Sequence, residues 1–176
     1  MLYGIIALII VLLIFLLLFI FCNNRFQLVI IKIDKAEEDI DLYLQKKKEL
    51  LERCRPIIEK ELKKENVLEG LDISLEGMNH FETHNTLKMI YNNLFKTIDE
   101  HEKLLKSDTL MNILEELNTN EENIIGAIKF YNDTVVEFNQ LVVSFPSKMV
   151  AFFKRYKKKE FYSNEKREIF EILRDK

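Results

Sequence analysis

Glycine and proline are nearly missing from this chain, at four and two among 176 residues. Tight turns lean on both, so their scarcity argues against a turn-rich β fold and favours long uninterrupted helices. Tryptophan is absent. Cysteine occurs twice, at Cys22 and Cys54, too far apart along one continuous helix to bridge within the chain. Unpaired thiols suit a reducing compartment, and Cys54 reads as an ordinary buried one. A marked excess of one sign of charge is also lacking: 26 Lys and Arg against 29 Asp and Glu leave a formal net charge of −3, which gives no reason to expect nucleic acid as a partner. No phosphate-cradling glycine loop and no nucleophile–base pair can be picked out, so neither catalysis nor a cofactor is expected.

What the chain does have is an opening run, Met1 to Cys22, without a single charge. About 20 apolar residues let a helix cross the hydrocarbon core of a bilayer with every backbone hydrogen bond satisfied internally. A cleaved signal peptide would carry basic residues first and small ones at the cut; here nothing basic precedes the run, and Phe19, Ile20 and Phe21 stand before Cys22. The expectation is an uncleaved anchor over residues 1–22 and one domain over 23–176. Arg25, Lys32 and Lys35 all follow the span, so the positive-inside tendency puts the domain in the cytosol and Met1 outside.

Beyond the anchor, apolar positions recur at helical spacing. Ile33, Ile40, Leu44, Leu51, Cys54 and Ile58 form a first stripe, widened by Leu50 and Ile57, with Pro56 near its far end. Lys63 to Gly70 reads as a connection. A second pattern holds Leu71, Leu75, Met78, Phe81, Ile90, Leu94, Ile98, His101 and Leu105. The third is the most regular: Leu110, Leu114, Leu117, Glu121, Ile124, Ile128, Tyr131, Val135, Phe138, Val142 and Phe145 alternate steps of four and three, a heptad seam. Ser107 or Asp108 caps its start, and Phe145-Pro146-Ser147 ends it. A short amphipathic piece, Lys148 to Tyr156, precedes a last helix opening at Ser163 with Ile169, Phe170, Ile172 and Leu173. The expected fold is all-α: a transmembrane helix continuing into an antiparallel, up-down-up bundle of three long helices plus shorter C-terminal pieces.

On the third helix, Glu122-Asn123-Ile124, Phe130-Tyr131-Asn132-Asp133, Glu137-Phe138-Asn139, Phe145-Pro146-Ser147 and Val150-Ala151 stand in order. This block resembles the signature of the LemA family, in which two aromatic–Asn pairs lie seven residues apart before Phe-Pro-Ser. The first helix is similar too, through Ile40-Asp41, Leu44, Lys46-Lys47 and Leu50-Leu51, although its proline comes late, at Pro56, and Phe138 stands where a Tyr is usual. The resemblance implies a bacterial inner-membrane helical bundle without established catalytic activity.

Four constellations are candidates for a role. Lys47 and Glu121 interrupt apolar seams at similar rise; either they meet as a buried ion pair that sets helix register, or each snorkels to the surface. Asn123, Asn132 and Asn139 carry the family motif, and with Asn118 they make a polar strip for a neighbouring helix or a partner. His80 and His84 stand four apart, the spacing of paired metal ligands, but without an evident third ligand. Lys154, Arg155, Lys157, Lys158 and Lys159 form a basic run among aromatics, suited to an acidic partner or simply to water. An up-down-up order carries that run away from the bilayer. The reading is therefore a membrane-anchored scaffold or protein-interaction module with one span and an unidentified protein partner. Pairing with a second copy stays open, and the alternative is a ligand-binding sensor that signals through the first helix.

Overall fold

Between Gly4 and Pro56 nothing in the sequence breaks a helix, and none breaks: in the computed structural model, which describes residues 2–63, 68 and 80–162, α1 runs from Leu2 to Leu62. Pro56 sits inside it, on the exposed side, where water can reach the carbonyl that loses its donor. Lys63 ends the helix in the left-handed region, φ 49°. After it come α2 (His80–Glu100), a five-residue 3₁₀ turn (Glu102–Lys106), α3 (Asp108–Val143) and α4 (Ser147–Lys154). Among the described residues there is no strand, so the chain is all-α.

The chain divides into two compact units. One contains Met1–Ala36 and Lys129–Lys176, the other Glu37–Ile128. In the second unit Ile40, Leu44, Leu50, Leu51, Cys54 and Ile58 of α1 are buried, as are Leu87, Ile90, Leu94 and Ile98 of α2. Leu110, Leu114, Leu117 and Ile124 of α3 are buried as well. Arg53 lies 3.4 Å from Glu116, and the Asn120 amide donates to the Tyr43 carbonyl at 2.9 Å. Residue numbers on α3 thus rise as those on α1 fall, and the two are antiparallel. Along α2 they rise together with α1, because His80 pairs with Asp41 and Tyr91 sits under Lys47.

That order corrects the up-down-up expectation: α1 and α2 point the same way and α3 opposes both. The error lay in the connection, expected to be short. Seventeen residues separate Leu62 from His80, where α2 starts, whereas only short links force neighbouring helices to reverse. Leu71, Leu75 and Met78 of the second pattern lie outside the described residues, as does the helix expected from Ser163. The pattern also slips at its end. His101 leaves helical geometry (φ −135°, ψ 77°), and the 3₁₀ turn after it buries Leu104 and leaves Leu105 exposed. Phe81 is exposed too.

The first unit is built on an aromatic core. Phe26 is fully buried, its ring 5.7 Å edge-on from Phe138 and 5.0 Å from Tyr156. Burying one such side chain contributes about 1.5–3 kcal/mol. Cys22, Val29, Ile33, Val135, Leu141, Val150 and Ala151 complete the core. Glu137 faces both Arg25, at 3.7 Å, and Lys32, at 3.5 Å, and Phe145, farther along, lies beside Phe15 and Phe19, so here too the chain of α3 runs antiparallel to α1 and its C-terminal end approaches the apolar run. α4 ends with Arg155 in the left-handed region (φ 56°, ψ 33°). The Arg155 N–H donates to the Phe152 carbonyl and the Tyr156 N–H to that of Ala151, a Schellman ending that normally takes glycine. A side chain there costs about 1–2 kcal/mol.

Candidate functional site

Two polar arrangements are built into the units, one in each. In the second unit Lys47 is fully buried on the core face of α1, three residues from Leu44 and Leu50. Its Nζ donates to Glu121 Oε2 at 2.5 Å and lies 4.7 Å from the centre of the Tyr91 ring. The Tyr91 hydroxyl donates in turn to Asn118 Oδ1 at 2.8 Å. All three long helices therefore meet at this group. Burial lowers the Lys47 pKa, with Glu121 pulling the other way and Lys88 adding to the fall. Burial also lowers that of His84, which faces Lys47, Glu121 and Lys88, and raises that of Tyr91. The pair links α1 to α3 through antiparallel packing, so equal rise in an up-down-up bundle was not what brought it together.

In the first unit the family-motif asparagines work on backbone. Asn139 is buried; its Nδ2 donates to the Lys159 carbonyl at 2.9 Å, and its Oδ1 accepts the Lys159 N–H at 2.8 Å. Asn132, also buried, accepts the Tyr162 N–H at 2.8 Å, and the Tyr131 hydroxyl donates to the Glu160 carbonyl at 3.2 Å. The partner is not a neighbouring helix but the non-helical chain after α4. The reason is supply: helix interiors spend their N–H groups on themselves, whereas non-helical backbone still offers both. The spacing also fits. Seven helical residues rise about 10.5 Å, and three extended residues cover about 10 Å, the separation of Lys159 from Tyr162 in sequence. Asn123 is exposed and takes no part in this clamp.

The remaining candidates are placed as follows. His80 Nδ1 lies 2.5 Å from Asp41 Oδ1, and among the described residues no three His, Cys, Asp or Glu side chains gather as a metal would need. Lys154, Arg155, Lys157 and Lys158 are exposed and Lys159 is half-buried. Lys154 ends α4 and the others follow it, beside the end of the apolar run, because α3 returns toward it; the expectation that this basic run is carried away from the span is corrected. Phe145, expected on the seam, is exposed. Sequence reasoning missed Tyr91, Asn120 and Tyr156. Tyr91 had a usable signal: it lies one residue past the buried Ile90, at the edge of the α2 stripe.

The sequence model of the LemA family matches residues 36–172, most of the chain. The chain belongs to the LemA family. The LemA match takes in both members of the Lys47–Glu121 pair and both clamp asparagines. A comparison with curated proteins finds no match. Ahead of the LemA region, α1 is long and apolar enough at its N-terminal end to cross a membrane.

Proposed function

We propose that this LemA-family chain is a single-pass, membrane-anchored scaffold of the bacterial inner membrane, non-catalytic, with its helical units in the cytosol. One observation carries the reading: the polar groups that stand out in the sequence are spent on architecture. Lys47 is held by Glu121, and Asn132 and Asn139 hold backbone. Buried groups so engaged are poorly placed for turnover, which needs a cleft and a reacting group within hydrogen-bond reach. Exposed apolar side chains on the helices, such as Met89 and Ile125, are left for a protein partner.

Orientation is tested with Lys103→Cys in a Cys22→Ala, Cys54→Ala background. Intact cells should leave this site unlabelled by a membrane-impermeant maleimide until lysis; labelling before lysis would reverse the topology. A photo-crosslinking residue at Met89 should then give a discrete protein adduct in cells, and its failure to do so would count against a scaffold. The sensor reading draws on one feature, the unbroken α1 from the apolar run to Leu62. It requires a small molecule that raises the melting temperature of the full chain.

A further inference from the structure

α3 and α4 meet at a corner, and that corner lies against the apolar run. Phe145, Met149 and Phe153 share an all-apolar cleft of about 330 Å³ with Phe15 and Phe19 of α1, and the Phe19 and Phe153 rings are 6.2 Å apart. From Phe15 to Arg25, the first charged residue, α1 rises about 15 Å. The uncharged run is about as long as the hydrocarbon core is thick, about 30 Å, so it has no slack to slide outward. A bilayer that holds the run also holds whatever packs beside Phe15 and Phe19.

The corner is made for that setting. Phe145 and Phe152 are each 79% exposed and Phe153 67%, a large apolar surface for water to face. Much of its backbone is closed internally: the Ser144 N–H donates to the Gln140 carbonyl, the Lys148 N–H to that of Ser144 and the Met149 N–H to that of Pro146, while the exposed Lys148 side chain is long enough to snorkel to the headgroups. The Ser147 hydroxyl donates to the Ser144 carbonyl, and Pro146 brings no N–H. Unsatisfied backbone is what hydrocarbon excludes. The chain after α4 then climbs out. Tyr156 accepts a hydrogen bond from Gln27 at 3.1 Å, level with the first charges of α1, and Lys154, Arg155, Lys157 and Lys158 surround it. Basic side chains at that height face lipid phosphates.

The geometry points to a second membrane element: the α3–α4 corner is embedded in the cytoplasmic leaflet, with the basic run collared by anionic phospholipid headgroups. This rests on reading residues 2–22 as a membrane span, so the test separates the two. The chain has no tryptophan, and single reporters are placed in the full chain in vesicles of phosphatidylcholine and phosphatidylglycerol, with and without bromine on the acyl chains. Ile9→Trp reports the span, Phe145→Trp and Phe152→Trp the corner, and Met111→Trp the second unit. Quenching several-fold stronger at Ile9, Phe145 and Phe152 than at Met111, with blue-shifted emission, is expected. Ile9→Trp quenched while both corner reporters emit as in water overturns the embedded corner alone. If Ile9→Trp is also unquenched, both readings fall. Unchanged helical circular dichroism is required of each variant, and either corner reporter suffices if the other does not fold.

Discussion

Lys47 is the side chain whose loss the second unit would feel most. Removing it by Lys47→Met takes from the half-buried Glu121 carboxylate its hydrogen-bonded partner, and we expect a loss of about 2–4 kcal/mol in denaturant unfolding. Lys47→Met with Glu121→Leu should recover most of it, since two apolar groups leave nothing unpaired. No coupling energy in the cycle would mean that the pair is incidental. His84 gives a pH signature. Its folded pKa lies below the usual 6.5, chiefly from burial and then from Lys47, so the unfolded chain binds the extra proton first. Stability is therefore whole above about pH 6.5 and falls as the pH drops toward the folded value. Melting of the full chain in detergent should decline between pH 7.5 and 5.5, and His84→Asn should flatten the decline. Cys54, pushed up to about 11 by burial, should resist alkylation at neutral pH until the protein is unfolded.

Helix seams are where the sequence was most readable, and their ends are where it failed. Leu110, Leu114, Leu117, Ile124, Val135 and Phe138 are all buried, because a heptad pattern on a long helix leaves little choice of face. Leu105, at the end of the second pattern, and Phe145, at the end of this one, are nevertheless exposed. In one case the turn after His101 resets the phase; in the other the helix stops at Val143, and past that point the period has no meaning. Asn132 and Asn139 could be read as a polar strip from their spacing, but not their partner, since spacing on one helix says nothing about a segment that has no periodicity of its own. The clamp makes its own prediction. Asn139→Leu removes both bonds to Lys159, and trypsin should then cut after Lys157, Lys158 or Lys159 at least several-fold faster than in the parent protein. Equal cutting rates would show that the aromatic core alone holds the segment.

Over the whole chain, fold class was legible and helix order was not. Scarce glycine and proline announced long helices, and an uncharged opening run announced a candidate span. Helix direction depended on the connection between α1 and α2, where the pattern from Leu71 onward suggested an early start to the second helix and hence a short link. Mistaking that link reversed the direction of α3 and placed the basic run far from the apolar run rather than beside it. With α3 returning toward the apolar run, Lys154, Arg155, Lys157 and Lys158 lie in the same unit as Arg25 and Lys32, but the positive-inside tendency counts charges within about 15–20 residues of a span in sequence. Neutralising these four to Gln should therefore leave the labelling of the Lys103→Cys site in intact cells unchanged, whereas neutralising Arg25, Lys32 and Lys35 should raise it. Labelling raised by the first set would show that charges brought close by folding also set the orientation.

The clamp in the first unit works like a pair of rulers with different graduations, seven marks on α3 for three on the chain beside it. A single residue inserted between Asn132 and Asn139 turns one amide away by about 100°, and no shift of the other strand restores it. Length changes in this region would be accommodated only in matched packets, one heptad in the helix with three residues in the chain alongside.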